Sequence, residues 1–281
     1  MKVLLLGDTG SLGRQFKSFF LKKKIKVVSI NRKKNNIKFN PNSIKKIVKK
    51  NKPNIIINCI ALTGLIYCQR KKKEAFEANT NIPLRILSTI KKTKIKLIHF
   101  STDAVFKGKK VNKIYGEKDK AYPGTIYGKS KYSADKKILK AKNTLVIRLP
   151  LLFGPTHSGQ IVSKLLKSVK KGNKIFVADD VYSTPVYTPE LCSFVYQNCF
   201  KKDKIFSKKL IHFTSSRRLS MYKLIYELSK NIKGINLNKI IKVKDSYFKT
   251  GIKIKPKNLG LTSEYKSCIK KINFTVGKHI I

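Results

Sequence analysis

The chain reads as an α/β protein, a doubly wound parallel sheet with a small C-terminal lobe, on three observations. Five short apolar runs recur in its first part: Val3–Leu6, Lys26–Ile30, Asn54–Ile60, Lys94–Phe100 and Thr144–Arg148. Each is apolar almost throughout instead of alternating, as a strand covered on both faces must be. Helical patterns separate them, and strands alternating with helices favour a parallel sheet. A length of 281 residues is ample to bury a core and suits one α/β unit with a lobe.

The first run breaks at Gly7, and a helical pattern (Leu12, Phe16, Phe19, Phe20) follows at once. Glycines at 7, 10 and 13 give G-x-x-G-x-x-G instead of the commoner G-x-G-x-x-G. Gly7 permits a tight turn, Gly10 lets backbone approach a pyrophosphate, and Gly13 lets the helix pack closely on the strand. Thr9, Ser11 and Leu12 complete the turn, and the helix start directs its N–H groups and positive dipole end at the phosphate. The plain alternative is a structural β–α turn without ligand. Ligands of such sheets sit at the carboxyl ends of the strands.

The second run ends in Ser29-Ile30-Asn31-Arg32-Lys33. An NAD site usually places an acid here for the ribose 2′-hydroxyl. Asn31 and Arg32 stand there instead, and a guanidinium suits a 2′-phosphate, so NADPH is expected over NADH. Lysine-rich loops are common in this chain, which makes the scarce arginine the better clue. After the third run, Asn58-Cys59-Ile60-Ala61-Leu62-Thr63 offers small residues against which a cofactor can lie, with Cys59, Ile60, Ala61 and Thr63 as candidate lining. After the fourth comes Ser101-Thr102-Asp103-Ala104-Val105-Phe106. Two hydroxyls there can hydrogen-bond a substrate carbonyl, or else cap a turn.

Pro123-Gly124-Thr125-Ile126 then leads into Tyr127-Gly-Lys-Ser-Lys131, the start of a helix expected to run to about Lys140. Tyr and Lys at i and i+4 share a helix face. An ammonium near a phenol is expected to lower its pKa from about 10 and make it a usable proton donor. Tyr-x-x-x-Lys also occurs at Tyr67/Lys71, Tyr132/Lys136 and Tyr226/Lys230. Only Tyr127 opens a helix between the Ser-Thr-Asp turn and the fifth strand. Beyond Leu151 the pattern predicts a helix over Gln160–Lys171, a strand near Ile175–Val177, a helix over Pro189–Phe200, a strand at Leu210–Phe213 and a helix over Met221–Ile232.

A net charge of +50 resembles a nucleic-acid signature. Arginine supplies only seven of the 64 basic residues, and the lysines scatter along the whole chain with abundant Asn and Ile, the imprint of an AT-rich genome. Nonspecific polyanion binding at low salt is therefore a side effect, and no specific nucleic-acid partner is expected. Five cysteines without a C-x-x-C pair read as reduced thiols of a cytoplasmic protein. Four histidines without ligand spacing argue no metal site. No apolar run approaches a membrane span, and the N-terminus enters a strand instead of a signal peptide, so no membrane partner is expected.

The glycine pattern, Asn-Cys-Ile-Ala-Leu-Thr, Ser-Thr-Asp-Ala-Val-Phe-Lys-Gly and Tyr-Gly-Lys-Ser-Lys, in this order and spacing, resemble the extended short-chain dehydrogenase/reductases. Within them the chain looks most like the dTDP-4-dehydrorhamnose reductase family. Arg148-Leu-Pro-Leu-Leu-Phe-Gly154, Tyr182-Ser-Thr-Pro185 and Lys255-Pro-Lys-Asn-Leu-Gly-Leu extend the likeness over essentially the whole chain. It implies a Rossmann-type NAD(P)-binding domain over residues 1–150, a substrate lobe over 151–281, and elements near 187–215 returning to the first domain. It also implies NADPH-dependent (NADH remaining open) reduction of a nucleotide-linked 4-keto-6-deoxysugar, a step of deoxysugar and surface-polysaccharide biosynthesis, and leaves a homodimer open. Tyr127 would be the general acid, Lys131 would hold the nicotinamide ribose, and Thr102 would bind the carbonyl with Ser101 beside it. Gly7, Gly10, Ser11, Leu12 and Gly13 would cradle pyrophosphate.

Two departures fall on the sugar side. Ala104 replaces the tyrosine usual in Ser-Thr-Asp-Tyr-Val-Phe, and Pro150-Leu-Leu stands where the rhamnose enzyme usually has Thr-Ser-Trp. Ser101, Asp103, Ala104 and Pro150 are thus candidate substrate contacts. Lys255 is a weaker one, with a solvated charge the plainer reading. Glu190 resembles a carboxylate that relatives use at a metal-bridged dimer contact, and a helix-start acid is the plainer reading. Other readings are a nucleotide-sugar epimerase or dehydratase, against which the missing acid after Ile30 and the short C-terminal part argue, and a noncatalytic regulatory subunit, against which an intact Thr102, Tyr127 and Lys131 argue.

Overall fold

The computed structural model describes residues 1–30, 39–108, 113–155, 160–202, 204–249 and 256–281. Asn31, Arg32 and Lys255 lie outside the described residues, so the cofactor-phosphate and Lys255 expectations have no structural counterpart here.

The five apolar runs are strands: β1 Lys2–Leu6, β2 Lys26–Ile30, β3 Ile55–Asn58, β4 Lys96–Thr102 and β5 Thr144–Leu149. With a sixth strand, Leu210–His212, they form one parallel sheet in the order β2-β1-β3-β4-β5-sixth. The order reverses between β1 and β3, which is where such sheets open a crevice at their carboxyl ends. The near-continuous hydrophobicity has its reason in the two faces. Val3, Leu5, Ile55, Ile57, Phe100 and Ile147 pack on one side. Leu4, Leu6, Ile56, Leu97 and Val146 pack on the other.

The first face carries helices α1 (Ser11–Lys22) and α8 (Thr188–Val195), through Phe16, Phe20, Leu191 and Phe194. The second carries α2 (Pro41–Asn51), α5 (Ile82–Ile90) and α6 (Ile126–Ile138), through Ile44, Ile86, Ala134 and Ile138. α2 starts where Asn40 accepts a hydrogen bond from the Ser43 N–H at 2.8 Å with Pro41 in its first turn, a well-formed cap. Two short helices, α3 (Leu65–Arg70) and α4 (Lys72–Phe76), precede a wide π-helical turn at Glu77–Asn81.

Element boundaries differ from the sequence expectation where side chains intervene. β3 ends at Asn58, not Ile60, because the Asn58 side chain turns back to accept from the Ile60 N–H at 3.1 Å. β4 runs past Phe100, since Ser101 and Thr102 still pair with Arg148 and Leu149 of β5. The helix expected over Pro189–Phe200 is α8 continued by a π turn at Tyr196–Lys201.

The chain beyond β5 adds α7 (Ile161–Lys170), α9 (Met221–Ser229) and short parallel pairs such as Ile175–Ala178 with Ile240–Val243. Val162, Leu166, Val177, Leu224, Ile225 and Leu228 form its own core. Among the described residues no helix is long and apolar enough to cross a membrane.

Candidate active site

A cleft of about 990 Å³ opens at the carboxyl ends of β1, β3, β4 and β5, between the sheet and the C-terminal part. Gly10, Ser11, Leu12, Cys59, Ile60, Ala61 and Thr63 line its one side. Ser101 to Ala104, Tyr127, Lys131 and Pro150 line the next. Gly7, Thr9 and Gly13 are not among the lining residues, and Thr9 is exposed.

The glycines have separate reasons. Gly7 has φ +85°, and a Cβ there would lie 3.0 Å from the backbone of Cys59 and Ile60, so β1 and β3 close together only over a glycine. A Cβ on Gly13 would lie 2.2 Å from the Gly7 carbonyl oxygen. On Gly10 it would meet nothing nearer than 3.6 Å and would stand in the cleft. The cap position, Gly10, carries no side chain of its own, and no acid lies in the first turn of α1. A helix start whose cap position carries no Cβ is the cradle a dinucleotide pyrophosphate fits. Arg14, one residue on, donates from Nε to the Thr9 carbonyl at 2.8 Å and so braces the turn.

The opposite wall is built on α6. Thr125 caps it, accepting from the Gly128 N–H at 3.1 Å, which puts Tyr127 in the first turn facing the cleft. Gly128 is required there, because a Cβ would lie 2.0 Å from the Ala104 carbonyl oxygen. The Thr102 hydroxyl stands beside the Tyr127 phenol on the cleft wall and favours its ionised form. Thr102 also caps the short turn Asp103–Val105, accepting from the Ala104 N–H at 3.1 Å and donating to Asp103 Oδ1 at 3.0 Å. The capping reading of Thr102 is thus met, and the same residue lies on the cleft lining. Ser101 is committed elsewhere, donating to Asp135 Oδ2 at 2.7 Å.

The electrostatics depart from the expected phenol–ammonium pair. Burial pushes the Tyr127 phenol well above its ordinary value; the Thr102 bond opposes this, and Asp103, Cys68 and Asp135 add to it. Lys131 does not lower it. Burial instead brings Lys131 itself down to about 8, against the opposing pull of Asp135 and Cys59. Withdrawal from water outweighs the pairwise attraction, so the phenol is fully protonated at neutral pH. Burial also raises Asp103 to about 7, with its bonds from Thr102 and Ala104 opposing.

Several residues of this wall escape a motif search. Asn79, in the π turn, exchanges two hydrogen bonds with the Leu62 backbone (2.8 and 2.9 Å) and donates to Ser130 Oγ at 3.0 Å. Thr80 donates to the Ser130 carbonyl at 2.6 Å. The loop after β3 is thereby tied to the Tyr127 helix. The available signal was a polar triplet, Asn79-Thr80-Asn81, inside an otherwise helical stretch. Buried His99, Asp135 and Arg148 stand behind Lys131. Leu219, Met221 and Leu224 reach the cleft from the C-terminal part. Glu190 lies in the first turn of α8.

The chain is similar to known proteins in sequence and fold. The RmlD substrate binding domain family model matches residues 1–261. The spore coat polysaccharide biosynthesis protein SpsK of Bacillus subtilis is 30% identical over 198 residues, 69% of this chain and 68% of that protein. A dTDP-4-dehydrorhamnose reductase of Aggregatibacter actinomycetemcomitans is 25% identical over 79% of this chain and 76% of its own. The methionine adenosyltransferase 2 subunit beta of Danio rerio is 25% identical over 79% and 71%. Among solved structures, the Bacillus anthracis dTDP-4-dehydrorhamnose reductase in complex with NADP superposes with a TM-score of 0.85 at 20% identity, covering 99% of this chain and 96% of that one. The chain belongs to the RmlD substrate binding domain family, the dTDP-4-dehydrorhamnose reductase group within the extended short-chain dehydrogenase/reductase fold.

Proposed function

We propose that this protein is an NADPH-dependent reductase of a nucleotide-linked 4-keto-6-deoxysugar. The observation that carries the reading is the meeting of Thr102, Tyr127 and Lys131 in the same cleft as the glycine turn at Gly10 to Leu12. The bound nicotinamide would supply the hydride for the sugar carbonyl. Gly10, Ser11 and Leu12 would hold the pyrophosphate, Ala61 and Thr63 would flank the cofactor, and Lys131 would hold the nicotinamide ribose. Arg32 supports the preference for a 2′-phosphate.

Tyr127 then acts as the general acid. Its phenol, kept protonated by burial, donates to the carbonyl oxygen as negative charge develops there, and returns to the neutral form by taking a proton from solvent. Thr102 orients that oxygen. Its single proton lies on Asp103 Oδ1 at 3.0 Å, so donation to a substrate requires it to leave that carboxylate. Residues 1–150 would bind the cofactor and 151–281 most of the sugar nucleotide, with elements near 187–215 returning to the sheet.

The test is to mix purified protein, NADPH and a panel of dTDP-, GDP- and UDP-4-keto-6-deoxysugars and follow loss of nicotinamide absorbance. Turnover of one class bears the reading out. NADPH binding with no turnover of any would favour a second reading, a noncatalytic subunit that keeps the cofactor pocket, which the likeness to a methionine adenosyltransferase subunit beta motivates.

A further inference from the structure

Register places a polar ladder beneath α6. Asn58 of β3 stands opposite His99 of β4, and Ser101 of β4 opposite Arg148 of β5, which in turn faces His212 of the sixth strand. Each of the five is buried. One helical turn apart on α6, Lys131 and Asp135 face this ladder, both buried. Asp135 Oδ2 accepts from Ser101 Oγ at 2.7 Å and from Arg148 Nε at 3.4 Å. Its Oδ1 has no hydrogen-bond partner among the described residues.

The tautomer of His99 follows from its neighbours. Asn58 Oδ1 accepts from the Ile60 N–H, so Asn58 Nδ2 is the atom that donates to His99 Nδ1 at 3.1 Å. A neutral His99, held neutral by burial and by Lys131, then carries its proton on Nε2. That N–H lies 3.4 Å from Lys131 Nζ and 4.0 Å from Asp135 Oδ1. Two donors face each other, and the unpartnered Asp135 Oδ1 is the acceptor on the imidazole side. The imidazole N–H is thus attracted toward Asp135 across 4.0 Å and offers Lys131, on the cleft lining, no acceptor.

We propose that Asp135 is a positioning residue, whose carboxyl group, oriented by Ser101 and Arg148 and one helical turn from Lys131, acts through the shared His99 to set the charge and aim of Lys131 at the cleft. The proposal rests on the reductase reading for its purpose, since an ammonium is what would hold a ribose hydroxyl. Other groups around Lys131 do not supply that charge. Cys59, whose thiolate form would also favour the ammonium, and Cys68 are thiols held protonated by burial, Tyr127 is a neutral phenol, and Asp103 is engaged with Thr102. Glu74 and Glu77, on the outer elements, pair with Lys71 and Arg85. Arg148 opposes an ammonium, and His212, on its far side, is neutral. A bland alternative is that Asp135 serves only to neutralise Arg148 in the core.

The test is long-range ¹H–¹⁵N NMR of the imidazoles across pH, with His99→Gln to assign the ring. In the unsubstituted protein we expect the Nε2–H tautomer and a perturbation of the His99 signals with midpoint near pH 8, which disappears in Lys131→Met. Asp135→Asn and the double variant Asp135→Asn/Arg148→Gln should both move that midpoint down by about one pH unit or more. The double variant removes both buried charges, so it stays foldable if the single variant does not. An unmoved midpoint, a return to the original midpoint in the double variant, or an Nδ1–H tautomer overturns the proposal. The measurement needs neither cofactor nor sugar, so absence of turnover would sink the reductase reading alone.

Discussion

Replacing Gly13 and Gly10 by alanine should separate what holds the nucleotide turn together from what leaves it open. At Gly13 the new Cβ would stand 2.2 Å from the Gly7 oxygen and 2.9 Å from Asp8 Cα, all backbone that cannot rotate away. α1 would have to retreat by about 1 Å, and it carries Phe16 and Phe20, fully buried against the sheet. Overpacking of this kind costs about 1–3 kcal/mol, or somewhat more against rigid backbone. Alanine in a helix returns about 1 kcal/mol relative to glycine. The net is a loss of about 2 kcal/mol, a fall in Tm of about 4–8 °C. At Gly10 the Cβ meets nothing nearer than 3.6 Å, so Tm should stay put while NADPH affinity falls at least tenfold, because the methyl occupies the phosphate side of the cleft. Differential scanning calorimetry with nicotinamide fluorescence titration reads both. A Gly13→Ala protein that melts at or above the unsubstituted temperature, or a Gly10→Ala protein that binds NADPH normally, would refute the reasoning.

Four further outcomes follow from the site. Tyr127→Phe should lower kcat by about a hundredfold or more with little change in NADPH affinity, whereas Tyr132→Phe should retain turnover; the reverse result would reassign the acid. Arg32→Asp should shift preference from NADPH toward NADH, read as the ratio of kcat/KM values, and no shift would undo the 2′-phosphate argument. Asp103 is raised from 3.8 to about 7 in the fold, so the folded chain binds the extra proton more tightly than the unfolded one. Its contribution to stability is present below pH 4 and is lost as pH rises toward 7; Asp103→Asn should flatten that part of the denaturation-versus-pH curve, and an unchanged slope would count against it. Asn79→Ala should weaken NADPH binding by freeing the Leu62 loop from α6, measured by fluorescence titration, while an unaltered affinity would mean the loop holds its shape alone.

The central sheet was legible because both of its faces are covered, which leaves runs such as Ile55–Ile57 apolar without interruption. The glycine turn and the Tyr127 helix were legible because each is a local motif whose spacing carries its geometry. His99, Asp135 and Arg148 were not. What joins them is strand register, Ser101 against Arg148 and His99 against Asn58, and no spacing along the chain records which strands are neighbours. The lowered phenol was misjudged for a related reason. Sequence shows that Lys131 shares a face with Tyr127 but not that both are withdrawn from water, and burial is the larger influence on each. Beyond Leu151 the strands are two to four residues long and pair across distant segments, as Tyr182–Ser183 does with Asn258–Leu259, too short to show a period.

On the proposed reading, the side of the cleft that would take the sugar differs in kind from the side that would do the chemistry, and the difference bears on selectivity. Pro150, Leu151, Ile161, Val181, Leu219 and Leu259 line it with apolar surface. Its hydroxyls are partly spoken for: Ser220 Oγ lies 2.5 Å from Asp179 and accepts from the Lys223 N–H, and Ser183 Oγ accepts from the Leu151 N–H at 3.3 Å. Gln160 Oε1 is the buried lining oxygen without a partner among the described residues. A wall that presents shape instead of hydrogen bonds discriminates by about 10–200-fold per small apolar group, whereas a site built to bond a hydroxyl rejects its absence by about 10⁴ or more. Ala104 and Pro150, the two departures from the rhamnose pattern, both replace larger or more polar groups on this side. Relative kcat/KM values across the ketosugar panel should therefore be graded within about two orders of magnitude, with nucleotide identity mattering no less than a single sugar hydroxyl. A strict preference for one sugar by about 10⁴ would mean that polar groups other than these lining residues read the substrate.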